Sequence, residues 1–232
     1  MPKAGGGGTA ALHQMYSEFD LAYLSHSKCD YRAIIYCSFI SSLEKCPKCQ
    51  QIQQPNSSSD AEKSECTIQT PLTINLLPNP FISDTSCSVV LKPTKGTFKE
   101  FKTGDDLHIG IANSFGIVYS YWNNGITAET AAWSNAVSVC KLNQETTDKL
   151  LEEFIQQNWN KFSSQRYKSS TWNCFDFVSS FCEYAVSDFK NSAKSKLTVN
   201  HVQPMLQTVM RYCLLLKRVE ANKGFYVLQS SS

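Results

Sequence analysis

The chain has 232 residues, of which 42% are hydrophobic and 18% are charged, a composition that suffices for one sizeable core. Its formal net charge of +2 is too mild to favour a nucleic-acid or membrane-surface protein. No apolar run approaches the roughly 20 residues that span a bilayer, so we expect no transmembrane segment.

The N-terminal sequence and the cysteines together indicate the cellular compartment in which we expect the protein. The N-terminus, Met1-Pro2-Lys3-Ala4 followed by glycines, lacks the apolar core of a secretory signal. We therefore expect a cytoplasmic or nuclear protein whose ten cysteines stay reduced. In that setting a metal site or a catalytic thiol explains cysteines better than disulfides do.

Composition divides the chain into four parts. Residues 1–19 are predicted to be disordered, because the stretch is glycine-rich and lacks apolar periodicity. Residues 20–49 are predicted to form a small cysteine-rich module. A polar, serine-containing linker follows at 50–65, and the main domain occupies 66–232.

The main domain shows strand patterns first, then helix patterns, then one more strand. The predicted strands are 87–92, 107–112, 116–122 and Phe225–Leu228, and the predicted helices are 144–162, 174–187 and 200–220. This order predicts an α+β fold, with a small antiparallel sheet packed against helices.

A Cys-x-x-Cys turn at Cys46 and Cys49 has the spacing of half a zinc knuckle. A structural zinc site needs two further ligands, and we favour Cys29, just before the module's second strand, and Cys87, at the start of the main domain. Cys66, beside the linker, is the main rival. The alternative hypothesis is that these cysteines are free thiols packed in a small apolar module.

Cys174 is predicted to open a helix, because Asn173 is a favourable N-cap residue and the apolar spacing that follows is helical. Backbone N–H groups and the positive end of the dipole stabilise a thiolate at that position. Thiol catalysis also needs a base, and His108 lies within an apolar strand upstream. The competing interpretation is that both are ordinary core residues.

The third catalytic residue depends on the register of the hairpin that contains His108. A two-residue loop at 113–114 would pair His108 with Tyr119, which is our candidate for this role. A three-residue loop would instead place Ser120 opposite the imidazole, and a four-residue loop would place Tyr121 there. None of the three orients an imidazole as strongly as a carboxylate does.

The order of His108-x-Gly110 first and Asn173-Cys174 second resembles the lecithin:retinol acyltransferase-like branch of the circularly permuted papain-like folds. This resemblance implies a histidine-bearing strand and a cysteine-bearing helix start. It also implies that Cys174 is the nucleophile and His108 the general base in hydrolysis or transfer of an acyl group. Backbone N–H groups at the helix start would then stabilise the oxyanion.

A second resemblance covers most of residues 29–228. The chain resembles the makorin-2 opposite-strand protein family, through motifs that occur in the family's order. These motifs are Cys46-Pro47-Lys48-Cys49-Gln50, Leu91-Lys92-Pro93-Thr94-Lys95-Gly96-Thr97-Phe98, Asp106-Leu107-His108-Ile109-Gly110-Ile111, Gly116-Ile117-Val118-Tyr119, Asn173-Cys174 and Lys223-Gly224-Phe225-Tyr226-Val227. The resemblance implies a short cysteine-containing N-terminal module and a C-terminal domain of the family's own, and it implies no activity.

Two functional hypotheses follow. In the first, the protein is a thiol hydrolase or acyltransferase that acts on an acyl substrate, with zinc as a structural cofactor and no cofactor for catalysis. In the second, it is a non-catalytic protein-interaction module on the same fold. The position of Cys174 relative to His108 distinguishes them, because a catalytic pair must meet at an open cleft.

Overall fold

The structure, a computed structural model, describes residues 20–26, 34–37, 49, 72–81, 84–190 and 193–228. Two antiparallel sheets and a set of helices make up this part of the chain, so the predicted α+β class is confirmed. The permuted papain-like topology and the separate cysteine-rich module stay predictions. None of the described helices combines the length and the apolar composition that a bilayer span requires.

The larger sheet has five strands in the order β7-β6-β5-β4-β8. Its strands are β4 (Ser88–Pro93), β5 (Leu107–Ala112), β6 (Val118–Trp122), β7 (Gly125–Glu129) and β8 (Val137–Lys141). β5 lies at the centre, because it pairs with β4 on one side and with β6 on the other. The next element of the chain after β7 is a short 3-10 turn, Ala131–Trp133.

Both faces of this sheet are covered. Side chains alternate between the faces, as the pleat of a strand requires. One face, which we call the helix face, carries Leu91, Ile109 and Tyr121 into the main core. The opposite face, which we call the outer face, carries a smaller apolar cluster and a group of polar side chains. That cluster consists of Val90, Ala112, Val118, Trp133 and Ala136.

Helices cover the helix face. The helices are α1 (Thr147–Asn158), α2 (Cys174–Ala185), α3 (Ala193–Lys196) and α4 (Gln203–Ala221), and a π-helical turn (Leu197–Val202) joins α3 to α4. α2 packs directly on β5 and β6. It does so through Phe177, Val178 and Phe181, whose spacing places them on one side of the helix. The start of α2 is thereby held against the centre of the sheet.

The second sheet joins the two ends of the described chain. Its order is β3-β1-β2-β9, with β1 (Ala22–His26), β2 (Ile34–Cys37), β3 (Leu72–Leu76) and β9 (Phe225–Leu228). The backbone N–H of Leu21 also donates a hydrogen bond of 2.9 Å to the hydroxyl of Tyr212 on α4. Strands from the predicted 20–49 module therefore pair with strands from the predicted 66–232 domain, and the boundary between the two stays a prediction.

The hairpin between β5 and β6 differs from every loop length considered above. Ala112 pairs with Val118 and Ile111 pairs with Tyr119, so the loop has five residues, 113–117. Asn113 explains this length, because its side-chain carbonyl accepts hydrogen bonds from two backbone N–H groups inside the loop. Gly116 supplies the left-handed backbone that the loop also needs.

The predicted role of Tyr119 needs correction on these grounds. Tyr119 pairs with Ile111 and packs against the main core on the helix face. His108 faces the other way, because it bonds to Ser120, the next residue along β6. Tyr119 is therefore not the orienting partner of this imidazole.

Candidate functional site

The start of α2 is fixed by a reciprocal capping arrangement. The side chain of Asn173 accepts a hydrogen bond from the backbone N–H of Phe175, at 2.9 Å. The carboxylate of Asp176 accepts one from the N–H of Asn173, at 3.0 Å. Asp176 also accepts from Lys194, at 2.7 Å, so both carboxylate oxygens are engaged within the fold. This explains why the sequence Asn-Cys-Phe-Asp begins a helix here.

Cys174 is the first residue of this helix, and its side chain is buried in the main core. Only 3% of the residue is exposed. Burial raises the pKa of the thiol, although hydrogen bonds with the backbone of Ile109, Phe175 and Cys174 itself act in the opposite direction. The helix start therefore does not overcome the loss of water, and the neutral thiol is favoured.

His108 lies on the outer face of the same sheet, in a pocket of about 190 Å³. Its Nε2 is 3.1 Å from the hydroxyl of Ser120, which is in turn 3.1 Å from the hydroxyl of Thr127. The rings of Trp122 and Trp133 flank the imidazole at 4.7 and 5.3 Å between centroids. Burial, together with the nearby ammonium of Lys92, lowers the pKa of His108 to about 4.

The structure does not bring Cys174 and His108 together. The thiol lies in the core on the helix face, near the backbone of Ile109. His108 is the neighbour of Ile109 in β5, and consecutive side chains of a strand point to opposite faces. The imidazole accordingly contacts Ser120 and the two tryptophans on the outer face. Proton transfer between the pair would have to pass through the sheet itself, whereas a general base must lie within hydrogen-bond reach.

Comparison with known proteins places this fold in a family. The family model described as DUF4796 C-terminal matches residues 74–219. The chain belongs to this family. The matched region includes the whole five-stranded sheet, with the His108 pocket, and the helix that begins at Cys174.

The makorin-2 opposite-strand resemblance is confirmed for this DUF4796 C-terminal family member. The chain is 28% identical over 193 residues to the human MKRN2 opposite strand protein. The aligned region covers 78% of the present chain and 80% of the relative. No solved structure matches the chain.

The predicted zinc site lies partly outside the described residues, which do not include Cys29 or Cys46. Cys49 is half-buried, and Cys87 is buried at the start of β4. Burial is the main reason that the pKa of Cys87 is raised. Among the residues that the structure describes, no three histidine, cysteine or acidic side chains are grouped so as to hold a metal ion. The zinc site stays a prediction.

Ser120 was one of the sequence-based alternatives for the partner of His108, but the other residues that line the pocket were not predicted. They lie on β4, β6 and β7 and in the adjoining turns, and they are Lys92, Thr94, Trp122, Asn124, Thr127 and Glu129. The signal was the alternation of polar Lys92 and Thr94 with buried Leu91 and Pro93, which indicates a polar outer face. Finding the rest required β7, a strand that the sequence analysis did not predict.

Proposed function

We propose that this family member is a non-catalytic interaction protein and that Cys174 is a structural residue of its core. The observation that carries the proposal is that Cys174 and His108 lie on opposite faces of the five-stranded sheet. A thiol nucleophile needs a base within hydrogen-bond reach and a path for substrate to its sulfur. In the described part of the chain His108 is not within reach of Cys174, which is only 3% exposed, and burial raises the pKa of its thiol and so favours the protonated form.

The surface best suited to a partner is a groove of about 550 Å³ after α1, which we call the basic groove. The residues that line it are Lys161, Gln165, Arg166, Lys168, Thr171 and Trp172. Its three cationic residues are all exposed. Among the described residues, none of the three is in an ion pair. The groove therefore presents positive charge that the described fold leaves uncompensated.

The floor of the groove is rigid. The indole of Trp172 stacks on Phe162 with the two planes 7° apart and the centroids separated by 5.2 Å. Its N–H donates to the backbone carbonyl of Lys161, at 3.2 Å. The ammonium of Lys161 lies 5.4 Å from the centroid of each of the two rings. These contacts hold Lys161 beside a preorganised aromatic floor.

An acidic segment of a partner protein fits this groove best. Carboxylates complement the three cations, and charge complementarity of this kind sets partner choice and association rate. Single-stranded nucleic acid would need an aromatic face on which bases stack. One face of Trp172 is already covered by Phe162, and Lys161 lies against the same pair of rings. Protein is therefore the partner class that we propose.

The test is binding of a fluorescently labelled oligo-glutamate peptide to the full chain, measured by anisotropy. Replacing two exposed cations, in Arg166→Gln/Lys168→Gln, should weaken binding by roughly tenfold, because each exposed charge pair contributes up to about 1 kcal/mol. The affinity should also fall as salt is raised, since these charges are screened. Lys102→Gln, which removes an exposed cation outside the groove, is the matched control and should bind like the wild type.

Equal binding by the double variant and the control would overturn the assignment of the groove. Tighter binding of a labelled oligo-uridylate than of the peptide, lost in the same double variant, would overturn the partner class instead.

A further inference from the structure

The His108 pocket contains two buried polar atoms that have no hydrogen-bond partner among the residues that the structure describes. They are Nδ1 of His108 and the hydroxyl oxygen of Thr94. Folded proteins leave few such atoms, because each buried unsatisfied group costs about 1–3 kcal/mol. His108 is only 8% exposed, so bulk water does not satisfy its ring. Both residues line the same pocket.

The imidazole is held in a fixed position within this pocket. Its Nε2 is occupied by Ser120, which Thr127 supports from the neighbouring strand. The edge contact with Trp122 and the tilted contact with Trp133 restrict the ring on its sides. The remaining ring nitrogen, Nδ1, is buried and has no partner among the described residues, so its resonance reports on whatever binds beside the ring.

The pocket is lined by one cation and one anion. Lys92, on β4, donates a hydrogen bond of 2.6 Å to the backbone carbonyl of Ala132 and keeps two further N–H donors. Burial lowers the pKa of Lys92 and the carboxylate of Glu129 raises it, so the two charges interact. They form no direct ion pair in the described part of the chain. A ligand that bridges them would complement both charges at once.

We propose that the His108 pocket binds a small zwitterionic ligand of the free amino-acid class. Its carboxylate pairs with Lys92 and its ammonium pairs with Glu129, beside the ring of His108. The pocket, of about 190 Å³, has room for a small amino acid. The proposal does not depend on the basic groove, which lies on different elements.

The test is an NMR titration of the full chain, with its histidine rings labelled with ¹⁵N. Glycine, L-alanine, L-serine and L-threonine are added in separate titrations. At least one of them should shift the His108 ring resonances saturably at concentrations up to about 10 mM. Acetate and ethylammonium, which carry one charge each, are the matched probes and should not produce a saturable shift. Lys92→Met and Glu129→Gln should each weaken the binding by roughly tenfold. Glu129 is exposed, so its variant tests the proposal even if Lys92→Met fails to fold.

No shift with any of the four amino acids would overturn the proposal. Saturable binding of acetate alone would also overturn it, because the pocket would then be an anion site. Binding that persists unchanged in Glu129→Gln would remove the zwitterion requirement and contradict the assignment.

Discussion

The surroundings of His108 differ strongly from those of an exposed histidine. Its ring is buried between two tryptophans, and its pKa falls to about 4. An unfolded histidine has a pKa near 6.5, so in the window between the two values the unfolded chain binds a proton that the folded chain does not. Because the folded-state pKa is the lower one, acid favours the unfolded state.

This gives a prediction for the pH dependence of stability. The free energy of unfolding should fall as the pH drops from about 6.5 towards 4, by up to about 3 kcal/mol for this one group. His108→Gln should remove that component, because glutamine does not titrate. The measurement is urea denaturation of both proteins across this range, with the difference between them taken at each pH. Parallel pH profiles for the two proteins would contradict the account of a buried neutral imidazole.

At the scale of residues, the sequence predicted the helix cap at Asn173 but not the face of the sheet on which His108 lies. Asn173 as the helix cap follows from residue type and spacing, and the structure adds the hydrogen bond that the Asn173 N–H donates to the carboxylate of Asp176. The face on which His108 lies does not follow in this way. A shift of one residue in register moves a side chain through the sheet, and no local pattern around His108 fixes that register.

At the scale of elements, Gly110 explains how Trp133 packs over the centre of the outer face. A Cβ atom added at Gly110 would lie 2.6 Å from a methyl carbon of Val118 and 2.9 Å from the backbone carbonyl oxygen of Tyr119. It would also lie 3.1 Å from the indole of Trp133. The close approach of β6 and of this indole therefore requires glycine at the centre of β5.

Gly110→Ala should consequently destabilise the protein by about 1–3 kcal/mol, the usual cost of overpacking. The free energy of unfolding, measured in urea, tests this value. Gly104→Ala is the comparison, because its added methyl meets no atom within 4 Å and only its left-handed backbone, at a φ of +100°, adds strain. A Gly110→Ala protein as stable as the wild type would show that the strands do not approach as described.

The main elements were predictable where the pattern was strong, and others were missed for identifiable reasons. β5, α2 and β9 follow from apolar spacing, and their bounds agree within two residues. β7 was missed because Gly125–Glu129 is short and does not alternate clearly. β8 was missed because Val137–Lys141 is short, although Val137 and Val139 alternate with less buried residues. The five-residue hairpin loop depends on the side-chain hydrogen bonds of Asn113, which loop-length counting does not include.

At the scale of the whole molecule, the two sheets explain how distant parts of the sequence form one structure. β9 pairs with β2, and Leu21 is covered by α4 through Tyr212, Leu216 and Val219. These contacts join parts of the chain separated by almost its full length. The composition shift around residues 50–65 indicated a linker, but composition carries no information about which strands pair across it.

The five-stranded sheet also separates the molecule into two chemically different sides. The helix face holds Cys174 in an apolar core, whereas the outer face holds His108 among hydroxyl groups and charges. Catalysis by this pair would require both groups on one side. We therefore propose that Cys174 is a buried structural thiol that His108 does not activate.

The most direct test is the alkylation rate of Cys174 by iodoacetamide as a function of pH, read by mass spectrometry in the wild type and in His108→Gln. Half-buried Cys49 serves as the internal comparison. We predict that Cys174 reacts more slowly than Cys49 at every pH, with the same rates in both proteins, because burial protects its thiol and raises its pKa. Fast labelling near pH 6, well below the pKa of about 8.5 of a free thiol, that disappears in His108→Gln would contradict the account.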